Sequence, residues 1–129
     1  MKLALVLAEQ KEIIVPIVEG TVIRIYDTET RQYEDYENPA LSLQSGKRGA
    51  IIRWLNERGI NLLVTPPNTL CELSYEAAQK EEFHYYRVEA ETNFTYLRQL
   101  IDHNQLLLTD HLPESEIQPS HIPTVDEQR

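Results

Sequence analysis

Basic residues are scarce in this chain, cysteine occurs once, and no long apolar run is present; each shortage removes a class of function. Twelve Lys and Arg stand against 21 Asp and Glu, for a formal net charge of −9. Nucleic-acid binders draw most of their affinity from clustered basic side chains that neutralise phosphates. Here the densest basic pair is Lys47-Arg48, so no nucleic-acid partner is expected. A single cysteine, Cys71, cannot close an internal disulfide, and nothing demands an oxidising compartment. No stretch approaches the ~20 apolar residues of a membrane span, so no membrane partner is expected. The apolar start Met1–Ala8 is interrupted by Glu9, Lys11 and Glu12, with no small-residue cleavage site after it. We therefore expect a first strand rather than a leader, and a cytoplasmic protein.

Hydrophobic residues make up 41 % of the 129, enough for one core without a disulfide or metal staple. Lys2–Ala8 is apolar at every position after Lys2, the pattern of a central strand covered on both faces. Ile13–Val18 is a second apolar run, counted as a strand although Pro16 removes a ladder donor and puts it at an edge, bend or crossing. Thr21–Tyr26 alternates with a β-branched bias, and Asp27–Thr30 is turn chemistry. Gln32–Glu37 alternates again, its tyrosines spaced on one side of a hairpin.

Ala50, Ile51, Trp54 and Leu55 fall at helical spacing, and Gly59 ends that helix. Asn61–Thr65 is a short apolar strand stopped by Pro66-Pro67. Thr69 and Glu72 fit a capping box, which predicts a helix over 70–80. Phe83–Val88 reads as a strand. Thr92 or Asn93 then opens a last helix through about Asp102, striped by Phe94, Leu97, Leu100 and Ile101. The order β-β-β-β-α-β-α-β-α predicts an antiparallel front half joined to right-handed parallel α/β units. After residue 109 three prolines and many polar residues follow without a period, so residues 110–129 are expected to form a flexible tail.

This element order resembles the dinitrogenase iron–molybdenum cofactor biosynthesis family, the NifX/NafY-like domains. The residues carrying the resemblance are the opening Met1–Val6, the strand ending Ile25-Tyr26-Asp27, the hairpin exit Glu37–Ala40 and the helix–turn–strand unit Ile51–Val64. The closing Phe83–Val88 strand and its following helix complete it, over roughly residues 1–108. The resemblance implies a three-layer, ribonuclease H-like α/β domain over residues 1–109, with a mixed five- or six-stranded sheet and about three helices. It further implies a carrier that handles an iron–sulfur or iron–molybdenum cofactor precursor, alongside metal-cofactor assembly proteins. Family histidines between the second strand and the strand ending Tyr26-Asp27, and before the first helix, are here replaced by Val15–Thr21 and Ser45-Gly46, and the Gly-rich turn by Thr65–Thr69. No ligand set is thereby carried over residue by residue, and the cofactor stays unknown.

Cys71 lies in the first turn of the second predicted helix, after the loop bearing Asn68 and Thr69. Unfilled amides and the helix dipole there favour a thiolate, which would ligate a soft metal. The alternative is a cysteine that packs under the sheet. Ser45, Lys47 and Arg48 sit at the start of the first helix, where an anion would find backbone amides. The segment is not a P-loop, because Leu41 stands where the first glycine is needed and Arg48 follows the lysine. It reads as an anion site or as a polar loop.

His84, His103, His111 and His121 show no zinc-helix spacing. Lys2–Ala8 lacks the acid a two-metal nuclease needs in its first strand. No nucleophile–base pair is evident, so we expect no enzyme. The expectation is a binding or carrier protein with a site at Cys71, Asn68, Thr69, Ser45, Lys47 and Arg48, and Cys71 as any metal ligand. The alternative is a protein-interaction or small-anion module of the same fold. Oligomeric state stays open.

Overall fold

The computed structural model describes residues 1–8 and 12–119. Its strands are β1 (Lys2–Leu7), β2 (Val22–Asp27), β3 (Tyr33–Glu37), β4 (Leu62–Thr65), β5 (His84–Arg87) and β6 (Leu108–Thr109). Its helices are α1 (Lys47–Glu57), α2 (Glu72–Lys80) and α3 (Phe94–Asp102), with 3-10 turns at Pro39–Ser42 and Glu114–Glu116. One mixed sheet runs β3-β2-β1-β4-β5-β6. The β1–β2 and β2–β3 pairs are antiparallel, β1–β4 and β4–β5 parallel, and β5–β6 antiparallel. The expected α/β class with a mixed sheet and about three helices is what the described residues form, and of the five or six strands expected the sheet has six.

β1 explains the layering. Leu3, Leu5 and Leu7 pack with Tyr26, Val64, Phe94 and Leu97, while Ala4 and Val6 pack with Ile23, Leu63, Ile51 and Leu55. Alternate side chains of a strand point to opposite faces, so α3 covers one face and α1 with α2 the other. Asn93 is the residue that opens α3, accepting the Tyr96 N–H at 2.8 Å.

Four expectations change. Ile13–Val18 is not a strand: it makes only isolated bridges, Ile14 to Leu7 and Ile13 to Asn93. It is apolar because Ile14 and Ile17 plug the two core clusters at the end of β1. Its amides find irregular partners instead, Ile14 N–H on the Thr92 carbonyl and Val15 N–H on that of Val6. Gly20 ends this segment against β1, where a Cβ would stand 2.4 Å from Val6 Cγ1.

Tyr33 and Tyr36 lie on opposite faces of β3, since they stand three positions apart: Tyr33 meets Phe94 and Tyr36 meets Trp54. α2 begins at Glu72 rather than Leu70, and Cys71 is its N-cap. Finally, residues 110–119 of the expected tail pack on the domain. Residues 108–109 add a short strand, Leu112 is buried in the α1–α2 layer, and its N–H donates to the Tyr75 hydroxyl. Residues 120–129, with His121, lie outside the described residues.

Asn38 ties the hairpin exit to the plug. Its Nδ2 donates to the carbonyls of Ile17 and Gly20, and its Oδ1 accepts the Ala40 N–H, each at 2.9 Å. A buried amide with every bond met specifies the local geometry.

Candidate functional site

In a parallel α/β sheet, helices run back against their strands, so helix N-termini and strand carboxyl ends share one rim. That rim is where the sequence placed its candidates. A cleft of about 390 Å³ opens there between the starts of α1 and α2, lined among others by Lys47, Arg48, Cys71, Ser74 and Gln118. Three of the six candidates, Lys47, Arg48 and Cys71, therefore do meet. Gly46 takes a left-handed conformation (φ 66°) as N-cap of α1 and offers no side-chain cap, leaving the helix start to the cleft.

The other three do not line it. Thr69 contributes its main-chain carbonyl, which accepts Arg48 Nε at 3.2 Å. Its hydroxyl is buried and has no hydrogen-bond partner among the described residues. Asn68 is exposed with φ 67°, and its N–H donates to the Glu116 carbonyl at 2.9 Å. Ser45 is exposed on the approach to α1 and stands outside the cleft lining.

Cys71 is half-buried rather than packed under the sheet. Its N–H donates to Ser74 Oγ at 2.9 Å, the back-bond of a capping box, and Sγ lies 3.2 Å from the same oxygen. Ser74, not the Thr69–Glu72 pair read from the sequence, is thus the capping partner. The sequence signal was available, since a serine stands three residues after Cys71.

Sequence reasoning missed Gln118 altogether. Residues 116–118 run parallel to residues 68–72, with Gln118 N–H on the Leu70 carbonyl at 2.9 Å and Glu72 N–H on the Gln118 carbonyl at 3.1 Å. The Gln118 side chain accepts Arg48 Nη2 at 2.7 Å. Arg87, at the carboxyl end of β5, pairs with Glu116 and holds the segment from the other side.

A larger hollow of about 790 Å³ lies under the outer hairpin, by Lys2, Asp27, Arg31, Glu34 and Arg58. Several of its charges are already spent on the fold. Asp27 holds the turn amides of Glu29 and Thr30, Arg31 pairs with Asp102, and Glu34 accepts the Tyr36 hydroxyl. It gathers none of the predicted site residues, so the α1–α2 cleft is the stronger candidate.

Arg24 was also unforeseen. Its guanidinium is buried beneath α3, bidentate to Asp35 at 2.7 and 2.9 Å, with Glu12 Oε2 2.7 Å from Nη1. The Glu12 contact makes a second close ion pair for the one guanidinium. Tyr33 and Phe94 flank the guanidinium, 3.8 and 4.6 Å from their ring centres. Burial lowers its pKa and the two carboxylates more than restore it, for a net rise. The group stays charged and serves the fold.

Among the described residues, no three His, Cys, Asp or Glu side chains gather to hold a metal ion, and no helix is long and apolar enough to cross a membrane. No family model and no curated protein matches the sequence. Solved structures do match in fold. The apo form of the orange protein from Desulfovibrio gigas superposes with a TM-score of 0.72 at 14 % identity, covering 88 % of this chain and 96 % of that one. A NifB candidate from Thermotoga, assigned to the DUF35 family, gives 0.62 at 17 % identity, covering 88 % and 97 %. The chain shares their fold.

Proposed function

We propose that this chain is a non-enzymatic binding or carrier module that takes an anionic ligand in the α1–α2 cleft. The observation that carries the reading is the meeting of Lys47 and Arg48 with Cys71, at two helix N-termini that face the same 390 Å³ space. Positive side chains, helix dipoles and backbone amides reinforce one another there.

A metal cluster ligated wholly by protein side chains does not fit. Such a cluster takes about four ligands, and among the described residues the cleft lining offers one thiol and no second His, Cys, Asp or Glu. An anion held by charge, with the thiol as one further contact, does fit. The shared fold with the apo orange protein and the NifB candidate, and the NifX/NafY-like pattern, favour an anionic metal–sulfur cofactor precursor as cargo. Metal-cofactor assembly proteins would then be the partners. A reducing cytoplasm suits a protein whose only cysteine borders its binding cleft.

The test is anaerobic titration with iron and sulfide, and separately with molybdate, on wild type, Lys47→Ala and Cys71→Ser. Charge-held cargo predicts weaker molybdate binding in Lys47→Ala by about five-fold, roughly 1 kcal/mol for one exposed charge. A visible chromophore that changes in Cys71→Ser supports metal–sulfur cargo. Molybdate binding without any chromophore supports the second reading, a small-anion module, which the missing ligand set favours. No binding of either kind sinks the cleft as a site.

A further inference from the structure

Gln118 presents two carbonyl oxygens to the cleft and spends both on donors that an anionic ligand would use. Its side-chain Oε1 accepts Arg48 Nη2 at 2.7 Å, and its main-chain oxygen accepts the Glu72 N–H at the start of α2 at 3.1 Å. The segment carrying it is fastened at three further points. Glu116 O accepts the Asn68 N–H, Gln118 N–H donates to Leu70 O, and the Glu116 carboxylate pairs with Arg87. Upstream, buried Leu112 anchors it to the α1–α2 layer.

The fastening differs in kind from core packing. Leu112 is 6 % exposed, whereas Gln118 and Pro119 lie at the surface and Arg87 is about half exposed. Beyond Leu112 the apolar hold on the segment is Ile117, half-buried against the α1–α2 core; among the described residues the rest of the fastening is hydrogen bonds and one ion pair, which exchange readily for ligand or water. Release of the strap must therefore lift Ile117 as well as exchange these bonds.

We propose that residues 116–118 are a latch, in which Gln118 occupies the ligand's acceptor positions and an anion entering the cleft releases the strap. The proposal rests on the anion-binding reading of the cleft. The ligand class it selects has at least two acceptor atoms, one for a guanidinium and one for a main-chain N–H, as a tetrahedral oxyanion has. Binding and opening are then linked: each must weaken whatever the other strengthens. The latch would keep the Arg48 guanidinium and the Glu72 N–H occupied against weak anions until cargo is delivered.

Full-length wild type, Gln118→Ala and Glu116→Gln are compared by calorimetric titration with molybdate and by amide hydrogen exchange. Both substitutions leave Lys47 and Arg48 in the chain, and Gln118→Ala removes only the acceptor of Arg48 Nη2. Both variants should exchange the Asn68, Glu72 and Gln118 amides faster in the absence of anion. Both should bind molybdate about ten-fold more tightly, the size of one lost charge-assisted hydrogen bond at a partly exposed site. Saturating molybdate should accelerate the Asn68 and Gln118 amides in wild type, while the Glu72 amide, passed from the Gln118 carbonyl to the anion, stays protected.

Equal molybdate affinity in all three proteins, with amide protection unaltered on binding, overturns the latch and leaves the cleft reading standing. Faster exchange in the variants with no molybdate binding in any protein overturns the cleft reading and the latch with it. Unchanged exchange in both variants means that neither side chain fastens the strap, and the latch fails on its own terms.

Discussion

Replacing Asn38 by alanine should be among the most costly single changes in the molecule outside the large core side chains. The residue is 1 % exposed, and its side chain makes three hydrogen bonds of 2.9 Å, to Ile17 O, Gly20 O and Ala40 N–H. A typical hydrogen bond contributes about 1 kcal/mol net, so deletion of three removes about 3 kcal/mol. Stranding the Ile17 and Gly20 carbonyls adds to this wherever water cannot reach them. For a domain of this size that corresponds to a fall in Tm of about 12 °C. Asn38→Asp keeps the shape but sets a carboxylate oxygen against the two carbonyls, and should lose at least as much as alanine. Urea unfolding followed by circular dichroism reads both variants against wild type. If both stay within about 1 kcal/mol of wild type with an unchanged m-value, the amide does not hold the plug to the hairpin exit, and the account of that motif is wrong.

Gly20→Ala should cost about 1–3 kcal/mol in the same assay, because its Cβ would stand 2.4 Å from Val6 Cγ1 and 2.7 Å from Leu7 O. At Arg24 the two sides of the ion cluster should behave unequally. Arg24→Met leaves Glu12 and Asp35, 45 % and 41 % exposed, to water and should cost about 1–2 kcal/mol. The Glu12→Gln/Asp35→Asn pair strands a guanidinium that is 5 % exposed and should cost more, about 3 kcal/mol; the reverse order in urea melts would refute the asymmetry. Asp27 has its pKa lowered chiefly by the Glu29 N–H, with Thr30 N–H and the terminal ammonium adding. A depressed folded pKa means stability that is full above the ordinary carboxylate value and is lost as pH falls through the lowered one. Asp27→Asn should flatten the acid limb of the stability–pH curve, and an NMR titration placing the Asp27 carboxyl at or above its ordinary value would contradict the cause.

Long patterned elements were legible in the sequence because one-dimensional period maps directly onto a face. β1 reads as buried on both sides and is, and the Ile51, Leu55 stripe of α1 faces the sheet as spacing required. Ile13–Val18 misled because an apolar run reports burial and not hydrogen bonding, and Pro16 was the better witness. The site divides the same way. Lys47, Arg48 and Cys71 could be named from helix starts alone, since helix N-termini gather at one rim of a parallel sheet. Ser45, Asn68 and the Thr69 hydroxyl fell away because loop residues near a helix start have no fixed direction.

Arg24 and Gln118 were invisible for a common reason. The Arg24 partners lie 11 and 12 residues away, and Gln118 meets Arg48 across 70 residues, separations at which no local spacing carries a signal. By itself the sequence determined the α/β class, the central β1 strand, the three helices and the acidic surface, all of which follow from period, composition and capping. Only the tertiary structure decided that the second apolar run is a plug and that residues 116–118 run beside the start of α2, with Gln118 lining the cleft. Those outcomes depend on which distant backbone groups still need partners once the sheet has formed.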